Sequence, residues 1–170
     1  MRLPILHLTP LALGMAWAIV CDLRRRRIPN PVSALVFLSG LTVYAINGAW
    51  LSALSGVGAA LLLVLVLYKP WAAGGIGGGD VKLAAATGAW VGLSHLIWFA
   101  LAVAVSGGVV ATICYLLAPP ATRADVRANI LLAGLHGELP PAAASHRKTQ
   151  VSVPYAIAIG GGAAVALLFA

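Results

Sequence analysis

Long apolar runs separated by short polar punctuation dominate the chain. Residues 3–21 carry no charge and stop at a basic tetrad, Arg24 to Arg27. A second run, 31–47, opens on Pro31, which is tolerated in a first helical turn because the N–H it lacks would have no partner there. A third, 51–68, is closed by Lys69 and Pro70, and a last one occupies 153–170. Each approaches the roughly 20 residues that an α-helix needs to cross a bilayer, within a range of about 17–25. The first run differs from a signal peptide in that no small-residue cleavage site precedes a polar mature domain, and further apolar runs follow.

Residues 80–118 are nearly forty residues with little polar interruption. One long span there would put Arg123, Arg127, Arg147 and Lys148 on the opposite side from Arg24 to Arg27. Two spans turning at 92–95 put every basic cluster on one side, the arrangement that cytoplasmic Lys and Arg favour. The first of the two, 80–91, is too short to cross alone at about 1.5 Å per residue. It needs tilt, shielding by neighbours or a thinned bilayer. The expected fold is therefore all-α: one polytopic domain over residues 1–170, about six transmembrane helices with one of them short, and the N-terminus outside. Loops 22–30, 69–80 and 119–150 are expected in the cytoplasm, the last with a surface helix near 123–135.

Composition agrees with that pattern. The 170 residues are 61% hydrophobic and 9% charged, against about a quarter charged in soluble domains. The net charge of +7 reads first as a topology signal rather than a nucleic-acid footprint. Cys21 and Cys114 lie in apolar surroundings without a CxxC pair, so packing is their expected role, and no metal or organic cofactor is expected.

Only four acidic residues exist: Asp22, Asp80, Asp125 and Glu138. The last two fall in the polar 119–150 stretch and read as solvated charges. Asp22 and Asp80 each stand where an apolar run meets the cytoplasmic side. An ionisable residue at membrane depth is costly and marks a functional site by default. The plainer alternatives are that Asp22 neutralises neighbouring arginines and that Asp80 caps a helix. Two neighbouring carboxylates cannot both ionise cheaply and share a proton. Such a pair suits hydrolysis: one member takes a proton from water while the other polarises the scissile carbonyl. Glycines 74–79 would permit positive φ and let an extended peptide come close to the backbone. A phosphate loop would need Lys followed by Ser or Thr, and a dinucleotide fingerprint would need a preceding strand. Both are missing here.

The stretch Asp22-Leu-Arg-Arg-Arg-Arg-Ile28-Pro29-Asn30 resembles the first-aspartate motif of the type IV prepilin peptidases. Gly77-Gly78-Gly79-Asp80-Val81-Lys82-Leu83 resembles their second, GxGD followed by x-K-L, and Pro154-Tyr155 resembles a Pro-aromatic element of that family. The resemblance implies an inner-membrane, multi-pass aspartic endopeptidase that removes the basic leader of prepilins and pseudopilins at the cytoplasmic face. It implies Asp22 and Asp80 as the catalytic pair and Gly77 and Gly79 as motif glycines, and it adds Pro29, Asn30, Pro154 and Tyr155 to the site. It implies prepilin substrates and the lipid bilayer as partners, and no cofactor. The sequence opens directly on its first apolar run and has no CxxC, so the methylating module of larger members is expected to be missing. Its compactness resembles the peptidases of Flp-type pilus systems.

Lys82 has two readings: snorkelling to the interface, or binding an acidic substrate group or tuning the acids. His7 and His95 are expected near the outer face. Several of Trp17, Trp50, Trp71, Trp90 and Trp98 fit an interfacial belt. Glycines 107–108 and 160–162 read as close helix-packing positions. The competing class is a non-enzymatic membrane protein, either an ion-coupled carrier or an assembly scaffold. A carrier would want its acids near mid-membrane rather than at the lip.

Overall fold

The computed structural model describes residues 5–136 and 154–168, whose regular secondary structure is all helical. A 3₁₀ turn, Ile5–Leu8, leads into α1 (Thr9–Arg25). There follow α2 (Asn30–Ile46), α3 (Trp50–Ala72), α4 (Gly78–Val91), α5 (Leu96–Leu117), α6 (Pro120–His136) and α7 (Tyr155–Leu168). Glu138, Pro140, Pro141, Arg147, Lys148 and Val153 lie outside the described residues.

The helix ends follow local chemistry. Arg26 ends α1 in the left-handed region (φ 51°), its N–H bonded to the Asp22 carbonyl at 2.9 Å. Pro29, extended at φ −64° and ψ 139°, precedes α2, and Pro31 occupies its first turn. Gly92 ends α4 at φ 71°, where a side chain would be strained, and residues 92–95 make the expected turn. Two ends depart from expectation. α1 runs past Cys21 to Arg25, so Asp22 belongs to its last turn. α3 runs through Pro70 to Ala72, two residues past the expected stop, and Pro70 leaves the Val66 carbonyl without its i→i−4 donor.

α4 is the axis of the molecule and packs against α2, α3 and α7. Every residue from Val81 to Val91 is buried except Lys82. Its small residues let neighbours come close: Gly56 of α3 lies against the Ala89 carbonyl, and a Cβ on Gly88 would stand 2.7 Å from Leu63. Such close backbone approach is how helices associate where apolar burial gives no driving force. Trp90 is fully buried, so it is a core anchor and not a belt residue. Its Nε1–H donates to the Val36 carbonyl at 2.8 Å, and Tyr44 Oη donates to the Trp90 carbonyl at 2.6 Å. The 14 residues of α4 rise only about 21 Å, and neighbouring helices shield nearly all of it.

Leucines and valines face outward instead. Leu51, Leu65, Val105 and Leu117 are 84%, 71%, 68% and 80% exposed, more apolar surface than a water-soluble monomer presents. Among the described residues two helices, Trp50–Ala72 and Leu96–Leu117, are long and apolar enough to cross a membrane.

α1 and α2 run in opposite directions, as do α3 and α4, and α5 and α7, so helix ends collect at two poles. At one pole Asn47 Nδ2 lies 3.3 Å from His7 Nδ1, and Ser55 Oγ accepts the Leu93 N–H at 2.9 Å. The other pole holds the end of α1 and the starts of α2, α4 and α7. There α6 folds back on α5: Arg123 donates to the Ala118 and Leu116 carbonyls at 2.8 Å each, and Arg127 Nε donates to Tyr115 Oη at 2.7 Å. Arg123 thus satisfies carbonyls that a helix C-terminus leaves open. Of the packing glycines, Gly162 meets Val103 and the Phe99 carbonyl, whereas Gly108 faces open space and has no packing partner.

Candidate active site

Asp22 is 8% exposed in the last turn of α1. Its Oδ2 accepts the Ala156 N–H at 3.3 Å. Ala156 stands in the first turn of α7, where helix geometry leaves N–H groups without an intrahelical partner and concentrates positive dipole. Asp22 therefore caps a distant helix, a role separate from neutralising the arginines beside it in sequence. Pro154 is buried just before that turn, and a proline, having no N–H of its own, suits a helix start.

Asp80 stands in the first turn of α4 and is half-buried. Its carboxylate turns back to the backbone N–H of Gly77, the N3-to-N-cap half of a capping box. Asp80 also lies near enough to Asp22 for the two charges to act on each other. Residues 58 positions apart thus meet at one pole, and each is held by the N-terminus of a helix.

The motif glycines work differently from the expectation of positive φ. Gly77 has φ −68° and ψ 138°, and Gly78 and Gly79 are helical. Within residues 74–79 the left-handed region is used at Gly74 (φ 77°). Gly77 and Gly79 supply space instead. A Cβ on Gly77 would stand 2.8 Å from Asp80 Oδ2, and one on Gly79 would stand 3.2 Å from Ile28 Cβ and 3.5 Å from Ile28 N. The glycine stretch lets the carboxylate fold back and lets the turn after α1 lie against α4.

Lys82 Nζ donates to Asn30 Oδ1 at 2.9 Å, so the last residue of the first motif is tied to the second. Pro29 is exposed at the start of α2. Tyr155 is 37% exposed, and its ring lies toward Gly107 of α5. Ile28 of the first motif is buried against Gly79. One contributor escaped sequence reasoning: the Ala156 N–H is a backbone donor that no side chain announces. Asp125 is exposed on α6. Among the described residues no three His, Cys, Asp or Glu side chains converge as a metal site would require.

Chemically, the pole offers two carboxylates, one buried and one half-buried, flanked by helix N-termini and bordered by Arg24 to Arg27. Comparison with the curated proteins and with the solved structures yields no match. A model described as the type IV leader peptidase family matches residues 10–112, from α1 into α5 and across both acids. The family consists of membrane proteases acting on prepilin-type substrates, in keeping with the two long apolar helices. With more than half its length matched, this chain belongs to the type IV leader peptidase family.

Proposed function

We propose that the chain is an aspartic endopeptidase of the inner membrane that removes the basic leader of Flp-like prepilins at the cytoplasmic face, with Asp22 and Asp80 as its dyad. The observation that carries the proposal is the meeting of these two acids at the pole that also bears Arg24 to Arg27. In the same reading α1, α2, α3, α4, α5 and α7 cross the membrane with the N-terminus outside, and α6 lies on the cytoplasmic surface.

The two carboxylates share one proton. The ionised member takes a proton from water as the water oxygen bonds to the scissile carbonyl carbon, and the protonated member gives its proton to the carbonyl oxygen. The resulting tetrahedral diol collapses as the first acid gives its proton to the leaving nitrogen, the second carboxylate takes a proton from one diol hydroxyl, and the C–N bond breaks. The Ala156 N–H on Asp22 Oδ2 supports this chemistry by fixing one oxygen of the carboxylate.

Co-expression with a prepilin from the same genome tests the reading. Asp22→Asn and Asp80→Asn preserve shape while removing the shared proton. Each should abolish the leader-sized mobility shift at normal membrane levels. The double variant should be no worse than either single, because residues that act as a unit are non-additive. Substantial cleavage by stably inserted Asp80→Asn protein would overturn the dyad.

A further inference from the structure

We propose that Lys82 is a positioning residue: its hydrogen bond to Asn30 Oδ1 braces the turn after α1 against the first turn of α4 and thereby sets the separation of Asp22 and Asp80. The inference rests on the dyad reading above.

The two acids belong to different helices, so something must fix their spacing. α1 ends at Arg25, and its chain continues through Ile28 to Asn30 before α2 begins. Ile28 supplies a steric stop, since its Cβ and backbone N lie against the place where Gly79 has no side chain. A steric stop resists approach but does not resist separation. The bond from Lys82 Nζ to Asn30 Oδ1, 2.9 Å long, supplies the opposing pull, and an ammonium donor strengthens it relative to a neutral pair.

Lys82 stands two residues from Asp80, and its neighbours Val81 and Leu83 are 7% and 0% exposed. Tension at Lys82 is therefore passed to a backbone that cannot turn away. Lys82 is the one exposed residue between Val81 and Val91. Snorkelling explains an exposed ammonium but not its aim at one amide oxygen across 52 positions. The bond is exposed, so its share of global stability is small, and its effect falls on the geometry of the acids.

The test uses the full chain in phosphatidylethanolamine/phosphatidylglycerol vesicles with a prepilin from the same genome. Lys82→Met and Asn30→Leu should each lower kcat by about tenfold or more, since misplacement by about 1 Å costs roughly a hundredfold. KM should move by less than about twofold, because ground-state binding is untouched. The double variant should fall no further than the worse single, as coupled partners require. Lys82→Arg and Asn30→Asp, which keep a donor and an acceptor, should restore most of kcat. A raised KM for Lys82→Met with wild-type behaviour of Asn30→Leu would overturn the brace and make Lys82 a substrate contact. Additive losses would overturn it as well.

A second readout is independent of catalysis. In a background with Cys21→Ser and Cys114→Ser, Ile28→Cys and Gly79→Cys bring Cβ positions 3.2 Å apart, near the roughly 3.5–4.5 Å of a disulfide. Adding Lys82→Met should slow their oxidative cross-linking about fivefold, the effect of losing roughly one hydrogen bond. An unchanged rate would overturn the brace. If the unaltered chain cleaves no prepilin, the dyad reading fails and the cross-linking rate alone decides the brace.

Discussion

A single methyl group at Gly77 separates a glycine that serves the backbone from one that serves Asp80. Gly77 sits at φ −68° and ψ 138°, a conformation that alanine adopts without strain. Exchanging Gly for Ala at an N-cap costs less than about 1 kcal/mol, so Gly77→Ala should insert and fold normally. The added Cβ would stand 2.8 Å from Asp80 Oδ2, whereas ordinary contact begins at 3.4 Å. The carboxylate must retreat by the difference, 0.6 Å. With about 1 Å of misplacement costing roughly a hundredfold, a proportional loss in free energy gives on the order of tenfold. The assay is initial-rate leader cleavage at matched membrane levels, with thermal unfolding in micelles run in parallel. Wild-type cleavage by Gly77→Ala would refute the claim that the seat of Asp80 against Gly77 is the working one. Loss of activity together with loss of folded protein would refute the claim that the backbone tolerates the change.

Trp90→Phe should lower stability by about 1–2 kcal/mol, through loss of the indole bond to Val36 and a small void; an unchanged unfolding midpoint in micelles would count against Trp90 as the anchor between α2 and α4. Gly162→Ala should destabilise by about 1–3 kcal/mol because its Cβ overlaps Val103, while Gly108→Ala, facing open space, should be neutral or stabilising by up to about 1 kcal/mol; the two unfolding midpoints moving together would contradict the packing of α5 on α7. Reporters fused at Ser94 and after Arg127 should land on opposite sides of the membrane, periplasmic and cytoplasmic respectively, and a shared side would overturn the crossing by α5.

What could be read from the sequence was whatever leaves a trace in one dimension. Apolar runs bounded by Arg24, Pro31 and Lys69 gave the helices, and Gly92 marked the turn between α4 and α5. The helix over Pro120–His136 includes the stretch expected near 123–135. Asp22 and Asp80 stood out because acids are scarce beside apolar runs. Contacts left no such trace. The Ala156 N–H has no side-chain signature, and Ile28, though part of the first motif, gave no sign that it lies against Gly79. Trp90 could not be separated from a belt residue by spacing alone, because burial depends on α2 and α3 closing around α4. Asn30 and Lys82 were both visible as motif residues, but their bond spans 52 positions.

The shortness of α4 has a consequence for where cleavage occurs in the proposed arrangement. From Val91 to Asp80 there are 11 helical steps, and from Thr9 to Asp22 there are 13, rises of about 17 and 20 Å. A bilayer core is about 30 Å thick. With both acids at the cytoplasmic interface, where the adjoining Arg24 to Arg27 are exposed and cleavage is proposed, the outer ends of α1 and α4 stop on the order of 10 Å short of the outer interface. Neighbouring helices or a locally thinned bilayer must cover that difference. The burial of α4 among α2, α3 and α7 makes the shortfall tolerable, since protein rather than lipid surrounds nearly all of residues 81–91. An α4 extended on the cytoplasmic side would carry Asp80 past the level of Asp22. The short helix, costly as an isolated span, is thus what brings the two carboxylates to one level.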